Sequence, residues 1–245
     1  MRKQLPAVLL VLILLITPGL LGSCVMNKLS EEPETISLNQ NMGGSDIGFE
    51  IVKGESWSRR MKAGPLVFNI LPQVVIWVTD ENDNFLKTLY VTGADGKGFR
   101  HAGRKELGRD FYRESFPLWS SLMENAGELL PDEDTPYPDS ITSATPSAGF
   151  TLNTKINIHP GTYQVFMEIN QSSDYNDTYT EENSDWAGQP SVIYHAEIPG
   201  KPEGKRVAME VWGRGTNIGE SGASSFDMSG MDSALTQILK AGITF

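Results

Sequence analysis

Period-two alternation of apolar and polar residues dominates the chain. Phe150, Leu152, Thr154, Ile156 and Ile158 alternate with Thr151, Asn153, Lys155 and Asn157, the pattern of a strand with one face buried and one wet. Tyr163, Val165, Met167 and Ile169 repeat it beyond Pro160-Gly161. A turn signal between two such runs predicts a hairpin. Further strands are expected over 47–53, 66–70, 191–198 and 206–212, with a short one near Ile243. Val74-Val75-Ile76-Trp77-Val78 is apolar on both faces, as expected of a central strand covered on each side.

Many short strands, with no amphipathic helix between successive ones, predict an all-β fold: an antiparallel β-sandwich of the immunoglobulin or fibronectin type III kind. Two stretches exceed a minimal sandwich. Residues 92–139 form a long insertion, expected to hold a helix over 114–125 that docks through Phe116, Leu118, Trp119 and Leu122, with Pro117 tolerated in its first turn. Residues 171–189 form a polar loop. Loops of this length are where recognition commonly lies.

The first residues read differently. Arg2 and Lys3 precede an apolar run from Leu5 to Ile16, too short for a permanent membrane span and suited to a signal peptide. Leu20-Leu21-Gly22-Ser23-Cys24 then resembles the bacterial lipobox, which implies cleavage after residue 23 and a lipid anchor on Cys24. Several acyl chains at about 0.8 kcal/mol per buried CH₂ hold a protein stably on a membrane. Val25, where an inner-membrane retention signal would place Asp, directs the expectation to the outer membrane or another periplasm-facing surface. Polar, Glu-rich residues up to Asp46 read as a tether. The expected organisation is a signal peptide over 1–23, lipidated Cys and tether over 24–46, and a sandwich domain over 47–245.

Composition narrows the function. Asp plus Glu outnumber Lys plus Arg by 31 to 20, a formal charge of -11, which disfavours nucleic acid as a partner because such binding rests on phosphate neutralisation. One Cys and three His are too few for a zinc finger, an iron–sulfur cluster or a disulfide framework.

Val75-Ile76-Trp77-Val78-Thr79-Asp80, a turn, and Phe85-Leu86-Lys87-Thr88-Leu89 resemble the opening hairpin of an uncharacterised family of predicted bacterial periplasmic proteins, a domain of unknown function. Asp139 to Thr145, Gly149-Phe150-Thr151-Leu152 and Gly161-Thr162-Tyr163 are similar to that family's second block, in the expected order. The Gly161-Thr162-Tyr163 end also resembles the immunoglobulin-like domain of flagellar hook-capping proteins, although the connection before Pro160 is shorter here. Because family members often occur beside PepSY or flavin-linked membrane proteins, the first resemblance implies an accessory role in envelope redox or iron handling.

Several residue groups are candidates for chemistry. Asp174, Asp177, Glu181, Glu182 and Asp185 share a loop with Tyr175, Tyr179 and Trp186 and no Lys or Arg. Clustered carboxylates attract a hard cation, and exposed aromatics stack on planar ligands; Asp174, Tyr175, Asp177, Tyr179 and Trp186 are the preferred ligand-binding surface. In the insertion, Arg100, Arg104 and Arg109, with Lys105, Arg113 and His101, offer a basic seat for phosphate, haem propionate or an acidic partner. Asp80-Glu81-Asn82-Asp83-Asn84 begins like a calcium loop but has Phe85 and Val91 where an EF-hand needs Gly and Glu, and reads as an acidic hairpin turn. His101, His159 and His195 lie in separate segments. The glycines from Gly213 to Gly219 are misspaced for a dinucleotide fingerprint, and no nucleophile elbow, Walker loop or zincin motif occurs. The expected function is that of a non-catalytic envelope lipoprotein binding another envelope protein or a small ligand. The alternative is a cofactor- or metal-binding accessory protein, its cofactor unknown.

Overall fold

The computed structural model describes residues 32–38, 43–92, 115–131, 145–157, 161–184, 187–199, 204–216 and 223–245. The strands are β1 (Glu34–Ser37), β2 (Ser45–Lys53), β3 (Arg59–Ala63), β4 (Leu66–Ile70), β5 (Gln73–Thr79), β6 (Phe85–Val91), β7 (Gly149–Ile156), β8 (Tyr163–Asn170), β9 (Val192–Ile198), β10 (Arg206–Gly215), β11 (Ser224–Ser225) and β12 (Ile238–Thr244); helix α1 (Pro117–Asn125) lies between β6 and β7.

A 10-stranded sheet runs β1-β7-β2-β12-β10-β9-β8-β5-β6, with β11 on β10, while β3 and β4 form a separate 2-stranded sheet. The long sheet is mixed: β1 pairs parallel with β7, and the other pairs are antiparallel. Strand β10 divides it, since Arg206 to Met209 pair with β12 and Glu210 to Arg214 pair with β9, past a bulge between Val211 and Gly213. Such bulges sharpen local twist. The sheet curls until its two halves face each other, bringing Tyr90 on β6 within 5.1 Å of Phe150 on β7, centroid to centroid.

The inward side chains are the alternating set of the sequence. Tyr163, Val165, Met167 and Ile169 from β8 and Phe150, Leu152 and Ile156 from β7 share one buried cluster with Phe49, Ile76, Tyr194 and Ile243. Residues Glu31–Phe245 form one compact unit containing every described strand, the helix and this core.

A second, smaller cluster lies on the outer face of the β9-β8-β5-β6 half, where Phe116, Trp119 and Met123 pack on Val75, Trp77, Val91, Phe166 and Ile193. Each fully buried large side chain contributes about 1.5–3 kcal/mol, so this docking accounts for a short helix otherwise marginal in water. Pro117 occupies its first turn, where a missing N–H costs nothing. Val74 to Val78 are buried, between β6 and β8.

Three expectations change. The segments flanking Pro160-Gly161 are not a hairpin: β7 pairs with β1 and β2, whereas β8 pairs with β5 and β9. Between β7 and β8 the chain instead passes from one half of the sheet to the other, because both strands carry an apolar face that must meet the core from opposite sides. Residues 34–37, read as tether, form β1, with Ile36 buried against the core. Residues 59–63 add the strand β3 opposite β4.

Candidate functional site

A pocket of about 460 Å³ opens where the curled halves part, at the end of the core. Its walls come from the end of β5, the β5–β6 turn, the start of β6, the end of β7 and the start of β8. Val78, Ile156 and Tyr163 form a buried apolar floor, while Glu81, Asn82, Lys87 and Lys155 make the rim polar. Leu86 stands at the mouth, 49% exposed.

The walls are built by local chemistry. The Asp80 carboxylate accepts hydrogen bonds from the Asn82 and Asn84 backbone N–H groups at 2.8 and 2.9 Å and from the Asn84 side-chain amide at 2.8 Å. These bonds hold its carboxyl below the ordinary range. Asp83 takes a positive φ of 63°, as Asp tolerates in a turn. The calcium-like motif is therefore an internally bonded hairpin turn. At the rim, Lys155 pairs with Asp46 on the neighbouring strand β2 at 3.1 Å. A volume of this size with an apolar floor and a few polar groups at its edge is the usual form of a small-molecule site.

Residues 171–184 are arranged otherwise. Asp174 is buried and pairs with Arg59 at 2.6 Å. It also accepts from the Ser233 hydroxyl and, at 3.4 Å, from the Gln237 side-chain amide. Burial raises its pKa, opposed by the Ser233 bond and the Arg59 charge. Asp177 is exposed and Tyr175 half-buried. Tyr179 packs against the core, and its hydroxyl donates to the Ser229 carbonyl at 3.2 Å. The loop is tied down by its own side chains, with Asn176 Oδ1 accepting from the Thr178 and Tyr179 N–H groups at 2.9 and 2.7 Å. Among the described residues, no group of three or more His, Cys, Asp or Glu is placed to hold a metal ion. Trp186, Arg100, Arg104, Arg109 and Cys24 lie outside the described residues.

A strongly perturbed acid was not among the candidates drawn from the sequence. Glu168 projects from β8 beneath the start of α1 and is fully buried. Its Oε2 accepts from the Trp119 backbone N–H at 3.1 Å and its Oε1 from the Ser191 hydroxyl at 2.6 Å. The N-terminal residue Phe116 supplies no side-chain cap, so a carboxyl from the sheet does so from below. Desolvation pushes it up to about 8, against the hydrogen bonds from Ser191, Trp119 and Leu118. Gly215 leaves it room: a Cβ there would lie 2.3 Å from Ser191 Oγ, 2.6 Å from Pro117 Cγ and 3.0 Å from Glu168 Oε1. The available signal was a lone acid amid the apolar residues of a strand covered on both faces.

His195 sits on the same outer face, 4.8 Å from the Phe166 ring and bonded to Gln164. Burial holds its pKa below the ordinary value, against the pull of Asp83 and Glu197. Gly213 and Gly215 lie within β10, which is no phosphate-binding loop. No protein-family model, curated protein or solved structure matches this chain.

Proposed function

We propose that this chain is a non-catalytic binding module of the bacterial cell envelope: an immunoglobulin-like β-sandwich held to a membrane by lipid on Cys24, taking a small amphipathic ligand in the pocket between Val78, Lys87, Ile156 and Tyr163. The pocket carries the reading. Its apolar floor removes hydrocarbon or ring surface from water, and its polar rim leaves a charged or hydroxylated end at the mouth. The anchor rests on the Leu20 to Cys24 motif, and accords with a ligand or partner met at the envelope.

The test is a thermal-shift screen of Glu31–Phe245 with palmitate, 1-anilinonaphthalene-8-sulfonate, haem, flavin mononucleotide and calcium, since a ligand binding only the folded state raises its melting temperature. The expected result is a saturable shift with an amphiphile that Thr162→Trp, placed to fill the pocket, abolishes. A shift that survives this substitution, or none with any amphiphile, would overturn the assignment. A shift with haem or flavin alone would favour the accessory-carrier alternative.

A further inference from the structure

The β3–β4 hairpin stands apart from the long sheet. Its register places Met61 opposite Phe68 and Arg59 opposite Ile70, so Met61, Leu66, Phe68 and Ile70 share one face, while Arg60, Lys62, Val67 and Asn69 share the other. The turn is compact: Gly64 supplies a φ of +60°, and Pro65 follows with a fixed φ suited to the second turn position. Beyond the turn every residue from Leu66 to Asn69 is exposed, with Leu66 at 66%, Val67 at 47% and Phe68 at 40%. The base, by contrast, is fixed. Arg59 donates to Asp174 at 2.6 Å and to the Ser173 carbonyl at 3.0 Å, and Gln171 donates to the Ile70 carbonyl at 3.0 Å. A rigidly rooted arm thus holds three large apolar side chains in water.

We propose that this arm is a membrane-contact element, whose Pro65 to Phe68 tip enters the headgroup region of an anionic bilayer while Arg60 and Lys62 meet the lipid phosphates. Charge selects the occupant. Residues 59–70 hold Arg59, Arg60 and Lys62 and no acid, in a chain of formal charge -11. The acidic body repels an anionic surface, but at physiological ionic strength that repulsion decays over about 8 Å. Strands of 5 residues extend about 17 Å, about twice that decay length. Apolar residues at the tip with cations on the strand behind them suit an interface that is apolar inside and anionic outside. A second copy of the chain is the competing occupant, because among the described residues no further strand pairs with either hairpin edge. Pairing two copies along these edges would set the Arg60 and Lys62 faces of both beside each other, and like charges at that range oppose association.

The inference does not depend on Cys24, and its test uses the compact unit Glu31–Phe245, which lacks that residue. Sedimentation with vesicles of equal phosphatidylglycerol and phosphatidylcholine, at about 0.1 M salt, is compared with vesicles of phosphatidylcholine alone. The expected result is binding to the anionic vesicles only. Arg60→Gln with Lys62→Gln should weaken it about 30-fold, about fivefold per cation, and Leu66→Asp with Phe68→Asp should abolish it. Near-ultraviolet circular dichroism identical to the wild type confirms that each exposed-site variant is folded. Absence of binding by the wild type, or binding unchanged in either variant, would overturn the proposal. So would a dimer in sedimentation velocity that Leu66→Asp with Phe68→Asp dissolves while vesicles are ignored. Because the ligand pocket lies elsewhere, the Thr162→Trp variant should bind vesicles normally, and failure of one proposal leaves the other readable.

Discussion

Replacing Glu168 by Gln should remove a large part of the protein's loss of stability at alkaline pH. The carboxyl is fully buried, and its pKa rises from 4.5 in the unfolded chain to about 8 in the fold, chiefly through desolvation. Below both values it is protonated in either state and costs nothing. As the pH climbs above the unfolded value, the unfolded chain releases this proton while the folded one retains it, so stability falls by about 1.4 kcal/mol per pH unit. The fall ends as the pH passes the folded value, when the carboxylate is charged in both states and its full desolvation penalty, on the order of 5 kcal/mol, is in place. Between about pH 5 and about pH 9 the loss attributable to this one group is about 4 kcal/mol. Gln keeps an acceptor for the Trp119 N–H and a partner for Ser191, and it never ionises. The assay is equilibrium urea unfolding of Glu31–Phe245 and its Glu168→Gln variant at about pH 5, about pH 7 and about pH 9, followed by circular dichroism. The unfolding free energy of the variant minus that of the wild type should grow by about 4 kcal/mol across this range. Profiles that stay parallel within about 1 kcal/mol would refute the reasoning, because the group would then titrate alike in both states.

Asp174→Ala leaves Arg59, which keeps access to water at 35% exposure, without its carboxylate, and also removes the Ser233 and Gln237 bonds; denaturant unfolding should show a loss of about 2–3 kcal/mol. Gly215→Ala forces a methyl against Ser191, Pro117 and Glu168, so the same assay should show a loss of about 1–3 kcal/mol. Near-ultraviolet circular dichroism of Gly215→Ala should change with it as α1 shifts around Trp119. Cys24→Ala should move the full-length protein out of the membrane fraction, and retention there equal to wild type would contradict lipid anchoring at that residue.

Strand positions were legible wherever alternation was long and regular. The predicted ranges 47–53, 66–70 and 191–198 fall on β2, β4 and β9. Strand β1 escaped because Glu34-Thr35-Ile36-Ser37 offers a single apolar side chain, and β3 because Met61 is the one large apolar side chain in Arg59-Arg60-Met61-Lys62-Ala63. Pairing was less legible than position. Pro160-Gly161 is a turn signal, but whether the flanking strands bond to each other depends on where their apolar faces meet the core, which is a property of the whole sheet. The same distinction governs the sites. Asp174 lies in an acidic loop by sequence, yet its partner Arg59 stands 115 positions away. Glu168 lies under a helix that only tertiary docking puts there. The pocket gathers residues from Gly43 to Tyr163; the sequence signalled the Asp80 turn and the Gly161-Thr162-Tyr163 run separately, but nothing local joins them.

The assignment of the binding site is tested most directly by two-dimensional amide NMR of Glu31–Phe245 titrated with 1-anilinonaphthalene-8-sulfonate. Saturable shifts should cluster on Val78, Leu86, Lys87, Lys155, Ile156 and Tyr163. Shifts centred instead on residues 174–184, or no saturable shifts anywhere, would contradict the assignment.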